Sequence, residues 1–142
     1  MTATTTVPTV GTQLEVREHK PLTRTDIVRY AGASGDFNPI HHDETFATSV
    51  GFPTVFSIGM YQAALLANHA ADAFGPENLR RVTLRFSAQV WPGDVLTCTG
   101  TVTRVEETDD GTEVEADLVC TRRGEDGSEG VAITGSAAFL VP

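Results

Sequence analysis

The sequence predicts an α+β domain in which an antiparallel sheet packs against one long helix. Residues 58–74 carry an apolar pattern of helical length, and after residue 80 apolar and polar residues alternate in successive segments separated by short turns. The first half of the chain is helical and rich in loops, whereas the second half is strand. Consecutive strands beside a single helix place that helix on one face of the sheet, which suggests a sheet curled around it.

Length and composition favour one globular domain. The chain has 142 residues, of which 40% are hydrophobic, so residues 1–142 can form one core, with a flexible, Thr-rich segment at 1–10. Net charge is −9, from 10 Lys+Arg and 19 Asp+Glu, which disfavours nucleic acid as a partner. The most apolar helix includes Gln62, Asn68 and Asp72, so no membrane span is expected. Without a secretory signal pattern, we expect a cytoplasmic protein.

The helices of the first half have recognisable ends. Thr23 and Asp26 have the spacing of a capping box, and Gly32 and Gly35 are expected to end the helix that follows. Asp43 can cap a short helix over residues 44–49. Alanines recur through 58–74, and a thin helix that is apolar around much of its girth is expected to be enclosed rather than laid on a surface.

The second half contains the alternating segments. Turn residues at 92–94, 109–111 and 124–130 separate strands over 82–90, 96–102, 114–120 and 131–141, and a weak first strand is expected at 13–19. Cys98 and Cys120 fall within these strands without metal-binding spacing, so we predict two half-buried free thiols. His69 lies within the long helix and is expected to be packed and hydrogen-bonded.

Residues 35–43, Gly-Asp-Phe-Asn-Pro-Ile-His-His-Asp, form the densest polar cluster. One interpretation is structural, because Asp, Asn, Pro and Gly are ordinary turn residues. A second is a metal site built from Asp36, His41, His42 and Asp43, which needs further ligands from elsewhere. A third is acid–base catalysis: Pro39 fixes the turn, so a carboxylate at Asp36 and an imidazole at His41 can be aimed at one point.

The residues around this cluster resemble those of a known family. Asp36-Phe37-Asn38-Pro39-Ile40-His41 matches the D-x-N-P-(I/L)-H motif of MaoC-like (R)-specific enoyl hydratases and 3-hydroxyacyl dehydratases. Asp43, a Gly-Met pair that opens the long helix (Gly59-Met60), and the V-x-P-G-D corner at 90–94 follow in the family's order. The resemblance covers nearly the whole chain.

The resemblance implies a hot-dog fold, in which the sheet wraps the long helix, and a dimer with an acyl thioester in a tunnel between subunits. It implies that Asp36 and His41 are the catalytic pair and that the Gly59 N–H faces the thioester carbonyl oxygen, which suits a helix N-terminus. Reversible hydration of an enoyl thioester, carried by CoA or acyl carrier protein, follows without a redox cofactor or a metal. Residues expected to orient the loop or contact the substrate are Asn38, Ile58, Met60 and Ala64.

Two positions depart from the family pattern. Ile58 stands where a histidine is usual, and Ala64 stands where a hydroxyl residue is frequent. Both changes make the site more apolar, which fits either a bulky acyl chain or one subunit of a heterodimer, in which this chain would be the catalytic one. A symmetric homodimer is the commoner arrangement.

Two rival functions stay open from the sequence. Hot-dog proteins also include thioesterases, but these generally carry a lone carboxylate on or near the central helix, and here the helix offers only Asp72 at its far end. A non-catalytic thioester-binding subunit is favoured by Ile58 and opposed by the intact Asp36 and His41.

Overall fold

The helices and strands lie in the regions of the chain for which the helical pattern and the alternation predict them, although some begin or end at other residues. The computed structural model describes residues 7–142, so the prediction for residues 1–6 lies outside the described part. The helices are α1 (Arg24–Ser34), α2 (Glu44–Ser49) and α3 (Gly59–Phe74), and 3-10 turns occupy Pro39–His41 and Pro76–Asn78. The strands are β1 (Arg17–Glu18), β2 (Leu79–Phe86), β3 (Val95–Thr108), β4 (Gly111–Arg123) and β5 (Glu129–Val141), all antiparallel, in the order β1-β3-β4-β5-β2.

The core lies between α3 and one face of this sheet. α3 packs against β2, β3, β4 and β5, and it buries Ala63, Leu66, Ala70 and Phe74. β3 buries every second residue over 96–102, and β4 does so over 112–120, as the alternation predicts. Gly100 in β3 permits close packing, because a Cβ there would lie 2.6 Å from Leu14 Cδ1. The predicted enclosure of a thin, alanine-rich helix is confirmed.

Helix α1 begins as predicted but ends later. Thr23 Oγ1 accepts a hydrogen bond from Asp26 N at 3.1 Å, and Asp26 Oδ2 accepts one from Thr23 N at 3.0 Å, which completes the capping box. The prediction that Gly32 helps to end the helix is wrong. Gly32 keeps helical geometry, and the left-handed turn comes only at Gly35, with φ 76°, whose N–H bonds to Ala31 O at 2.9 Å.

Two strands are shorter than the alternation predicts. The segment 13–19 runs beside β3 but pairs regularly only at Arg17–Glu18, with an isolated bridge at Gln13. β2 stops at Phe86, opposite Ile133, because Ser87 N and Ala88 N both turn towards Ala132 O. Phe86 is consequently 52% exposed and Ala88 is also exposed, although the alternation placed both on the buried face.

The cysteines lie deeper than predicted. Cys98 and Cys120 are free, face one another across β3 and β4, and are fully buried rather than half-buried, because α3 covers these central strands. The neighbouring Cys98 thiol, through a hydrogen bond, and burial raise the pKa of Cys120. Within residues 7–142, no helix combines the length and the apolar character needed to cross a bilayer.

Hydrogen bonds stabilise the corner at residues 91–94, just before β3. Asp94 is 2% exposed, and its Oδ2 accepts hydrogen bonds from Trp91 N at 2.9 Å and from Arg122 Nε at 2.6 Å. Its Oδ1 accepts a further bond from Arg122 Nη2 at 2.9 Å. Gly93 turns the chain with φ 92°, and its N–H bonds to Leu22 O at 2.7 Å. Both carboxylate oxygens are therefore used inside the protein.

Candidate active site

The loop that follows α1 is a stiff turn. Pro39 opens the 3-10 turn, and Asn38 caps it through Oδ1, which accepts a hydrogen bond from Ile40 N at 3.2 Å. Asp36 Oδ1 accepts from Asn38 N at 3.2 Å. These local bonds fix the directions in which the Asp36 and His41 side chains leave the backbone.

The structure brings Asp36 and His41 together. Asp36 Oδ2 lies 3.8 Å from His41 Nε2, and the Asp36 side chain is 44% exposed whereas the His41 side chain is 8% exposed. Since Oδ1 is the oxygen that bonds to Asn38, Oδ2 is the one that faces the imidazole. The pair therefore has one enclosed member and one that solvent or a ligand can reach.

A backbone carbonyl oxygen determines which ring nitrogen of neutral His41 carries the hydrogen. His41 Nδ1 lies 2.8 Å from Phe56 O, which can only accept, so Nδ1 carries the hydrogen and donates it. In the neutral imidazole, Nε2 then carries a lone pair, and this nitrogen faces Asp36 Oδ2. The Phe56 ring also packs edge-on against the imidazole, with 5.2 Å between ring centres, which holds the ring in place.

The separation of 3.8 Å exceeds a direct hydrogen bond but suits a shared third atom. One water oxygen can sit within hydrogen-bond distance of both Asp36 Oδ2 and His41 Nε2. Such a water would donate both of its hydrogens to these two acceptors, and its oxygen lone pair would be left to attack an electrophile.

The second half of the site is the start of α3. Ile58 occupies the N-cap position and makes no side-chain cap hydrogen bond, so the first N–H groups of α3, Gly59 included, are not capped by it. A Cβ at Gly59 would lie 3.2 Å from Phe86 Cε1, so glycine lets this ring pack closely. A cavity of about 290 Å³ opens here, lined by Phe56, Ser57, Gly59, Gln62, Phe86, Ser87, Ala88 and Gln89.

Phe56 connects the two halves. Its carbonyl oxygen holds His41, and the same residue lines the cavity beside Gly59. Phe56, three positions before Gly59, thus contacts the Asp36–His41 turn and also lines the cavity at the start of α3, although neither Asp36 nor His41 lines that cavity itself. Sequence reasoning could not find this link, because it depends on a backbone oxygen 15 residues from His41.

The other predicted site residues lie in varied surroundings. Asn38 is exposed and caps the turn, as described above. Ile58 is 2% exposed and belongs to the core cluster, Met60 is 57% exposed at the start of α3, and Ala64 is half-buried. Neither Ile58 nor Ala64 lines the cavity beside Gly59.

Sequence reasoning missed the role of Ser57 and left the orientation of Gln62 open. Ser57 Oγ donates a hydrogen bond to Gln62 Oε1 at 2.8 Å, and the two residues are only 2% and 3% exposed. Both line the cavity. The available signal was a glutamine one helical turn after Gly59 within an otherwise apolar stretch, since a polar group buried there needs a partner.

The remaining polar residues of the loop serve the turn and the next helix. Asp43 Oδ1 accepts a hydrogen bond from Phe46 N at 3.0 Å and caps α2, as predicted. His42 is exposed, and its Nε2 lies 3.2 Å from Phe37 O. In the described part of the chain, no three His, Cys, Asp or Glu side chains are grouped so that they could hold a metal ion.

His69 departs from its prediction. It is 3% exposed, but neither ring nitrogen has a hydrogen-bond partner within residues 7–142, so the expectation of a hydrogen-bonded histidine is wrong. Burial lowers the pKa of His69, and the Arg17 charge acts in the same direction. Its side chain lies in the second half of α3, beyond the residues that line the cavity at Gly59.

Comparison with known proteins defines the family. The MaoC like domain model matches residues 5–123, so the chain belongs to the MaoC-like domain family. The (R)-specific enoyl-CoA hydratase of Rhodospirillum rubrum is 32% identical over 125 residues, which cover 87% of this chain and 82% of that protein.

Other relatives are longer proteins. A 3-hydroxyacyl-thioester dehydratase X from Mycobacterium tuberculosis is 43% identical over 49% of this chain and 24% of its own length. The peroxisomal hydratase-dehydrogenase-epimerase of Saccharomyces cerevisiae is 40% identical over 44% of this chain. The match spans 7% of that yeast protein, so the chain corresponds to a small part of these relatives.

Solved structures share the fold. The ChsH1-ChsH2 complex from Mycobacterium tuberculosis contains a chain with a TM-score of 0.77 and 24% identity, which covers 96% of this chain and 100% of that one. The (R)-hydratase from A. caviae involved in PHA biosynthesis gives a TM-score of 0.73 and 25% identity, with coverage of 95% and 98%. The hot-dog fold implied by the sequence motifs is confirmed.

Proposed function

We propose that the protein catalyses reversible hydration of trans-2-enoyl thioesters and dehydration of 3-hydroxyacyl thioesters. The observation that carries the proposal is the pairing of Asp36 Oδ2 with His41 Nε2 at 3.8 Å, with His41 Nδ1 committed to Phe56 O. Hydratase and dehydratase activities in the names of the relatives support the same reaction class.

The reaction can be written with water and the side chains of this chain. The thioester carbonyl oxygen accepts a hydrogen bond from Gly59 N–H, which makes the β-carbon electrophilic. Water held by Asp36 and His41 loses a proton to the pair, and its oxygen bonds to the β-carbon while the π electrons move to the carbonyl oxygen. The enolate then takes that proton from the pair at its α-carbon, so one water is added in total and the pair returns to its starting state; dehydration is the reverse.

We further propose that a second hot-dog subunit completes the site, with a homodimer as the expected form. β2 is an edge strand of the sheet and Phe86 lies at its end, against Gly59. Phe86 and Met60, the residue after Gly59, are both more than half exposed. Exposed apolar side chains next to a cavity are typical of surfaces that a partner covers. Light scattering on the purified chain measures the oligomer; a stable monomer that dimerises only with another MaoC-like chain would indicate the heterodimer instead.

The activity is tested with a trans-2-enoyl-CoA. We expect the enoyl absorbance to fall as the 3-hydroxyacyl product forms, without release of free thiol. Thiol release at the same rate would indicate a thioesterase. No change in either signal, with the protein alone or with a MaoC-like partner, would favour the non-catalytic binding subunit.

His41→Ala separates a catalytic role from a binding role. We expect kcat to fall about 100- to 10,000-fold, because the base that accepts the proton from water is lost. Binding of a saturated acyl-CoA, measured by calorimetry, should stay within a few-fold of the wild-type affinity. An unchanged kcat would contradict the assignment.

A further inference from the structure

We infer that the side-chain amide of Gln62 is a second hydrogen-bond donor to the thioester carbonyl oxygen and that Ser57 positions it; this rests on the proposed hydratase function. Gln62 is one turn after Gly59 on α3 and lines the same cavity. Helix side chains lean towards the N-terminus, so the Gln62 side chain is directed to the end where the Gly59 N–H lies.

The hydrogen bonding of Gln62 leaves its donor group unused. Its Oε1 accepts from Ser57 Oγ at 2.8 Å, which fixes the amide plane. The amide nitrogen carries two hydrogens, and within residues 7–142 it has no recorded partner. In the described part of the chain, the polar side-chain atoms that are fully enclosed and lack a hydrogen-bond partner are the two ring nitrogens of His69. Gln62 Nε2 is not among them, so it retains accessible surface. For a residue only 3% exposed, that surface belongs to the cavity.

Burying an amide at this position needs a reason. A leucine in the same place would fill the space without a donor. An amide donor costs about 1–3 kcal/mol once a bound acyl group excludes water from the cavity, unless the ligand supplies an acceptor. A ligand oxygen in the cavity would satisfy it. Since the carbonyl oxygen gains negative charge during hydration, a donor fixed beside Gly59 stabilises the enolate more than the bound substrate.

The distinction between Gln62 and Ser57 follows from their contacts. Gln62 Nε2 is the atom that would touch the substrate, so Gln62 acts as a catalytic residue. Ser57 uses its hydroxyl to hold Oε1 and acts as a positioning residue. Removing the Ser57 hydroxyl should therefore have the same kind of effect as removing the Gln62 amide, but a smaller one.

The test uses Gln62→Leu and Gln62→Glu in the full chain. Glu keeps an acceptor for Ser57 but has no N–H, so it controls for disturbed folding in the Leu variant. We expect both to lower kcat about 100-fold with little change in KM, as for the loss of one donor to an oxyanion. Ser57→Ala should lower kcat about tenfold, and Ser57→Thr should restore part of the loss. Asn68→Leu removes an exposed amide from the same helix and should match the wild type.

A spectroscopic measurement separates this inference from the proposed function. Butyryl-CoA labelled with ¹³C at the carbonyl cannot be hydrated, and isotope-edited infrared spectra report the hydrogen bonds to its carbonyl when it is bound. We expect the wild type and His41→Ala to lower the stretching frequency equally, and the Gln62 variants to lower it less. A frequency in Gln62→Leu equal to that in Asn68→Leu, or a kcat within twofold of it, would overturn the inference. If the wild type fails to hydrate any enoyl-CoA, the proposed function fails, and the infrared comparison still tests the donor.

Discussion

Two proline-containing turns in this protein each carry an aspartate, and the two aspartates have opposite surroundings. At the corner 91–94, Asp94 is enclosed and both of its oxygens bond to Arg122 or to Trp91 N. At the turn 36–41, the Asp36 side chain is 44% exposed, with Oδ1 bonded to Asn38 N and Oδ2 left 3.8 Å from His41 Nε2.

The difference shows how to separate a structural carboxylate from a chemical one. At Asp94, the hydrogen bonds that both carboxylate oxygens accept within the protein stabilise the fold. A carboxylate oxygen that faces a base at a distance suited to an intervening atom contributes little to folding and is available to a ligand. Stability and activity should therefore respond in opposite ways to the same change at the two turns.

Between these two aspartates, the larger expected effect is that of Asp36→Asn on catalysis. The amide is close in shape but cannot take a proton from water, so kcat/KM with a trans-2-enoyl-CoA should fall about 1000-fold. The free energy of unfolding, measured with urea, should stay within about 0.5 kcal/mol of the wild type, because the side chain is half-exposed and Asn keeps Oδ1 as an acceptor for Asn38 N. A large loss of stability with activity retained would reverse the roles of the two turns.

Asp94→Asn should give the opposite pattern. The change removes the carboxylate that is hydrogen-bonded to the Arg122 guanidinium, whose side chain is 16% exposed, and we expect a loss of about 3 kcal/mol in the free energy of unfolding. Residual activity per folded molecule should stay near the wild-type value. In the double variant Asp94→Asn with Arg122→Met, much of the stability should return, since no charge is left unpaired. Equal stability of the wild type and Asp94→Asn would contradict the structural role.

The sequence could predict those features of the fold that depend on neighbouring residues, but not those that depend on residues far along the chain. Local signals sufficed for the capping box at Thr23, the cap of α2 and the bounds of α3, because each depends on residues within one or two turns. β2 could not be bounded in this way. Its end at Phe86 is decided by Ile133 on β5, where the pairing stops, and alternation within 82–90 carries no information about the partner strand.

The candidate site shows a similar division. The motif predicted that Asp36 and His41 share a turn, because Pro39 and Asn38 act over a few residues. The orientation of the imidazole depends on Phe56 O, and the fixed amide of Gln62 depends on Ser57, contacts that form only after α2 and α3 pack. The enclosure of Ile58 in the core likewise depends on packing, although the motif could place it beside the glycine.

His69 provides the smallest test, since it is buried and its ring has no hydrogen-bond partner among residues 7–142. The folded-state pKa of His69 is below the ordinary 6.5. As the pH falls below 6.5, the unfolded chain therefore binds a proton at His69 before the folded chain does. His69 therefore lowers the free energy of unfolding in acid. This loss is absent at about pH 8 and increases as the pH falls from about 6.5 to the folded-state pKa. His69→Leu fills a similar volume without unpaired nitrogens, so it should raise stability by about 1 kcal/mol at neutral pH and weaken the acid dependence. Urea unfolding at about pH 8 and about pH 5 measures both effects. If the free energy of unfolding changed equally with pH in the variant and the wild type, a hydrogen-bond partner would have to satisfy the His69 ring. Burial without partners would then not distinguish His69 from His41.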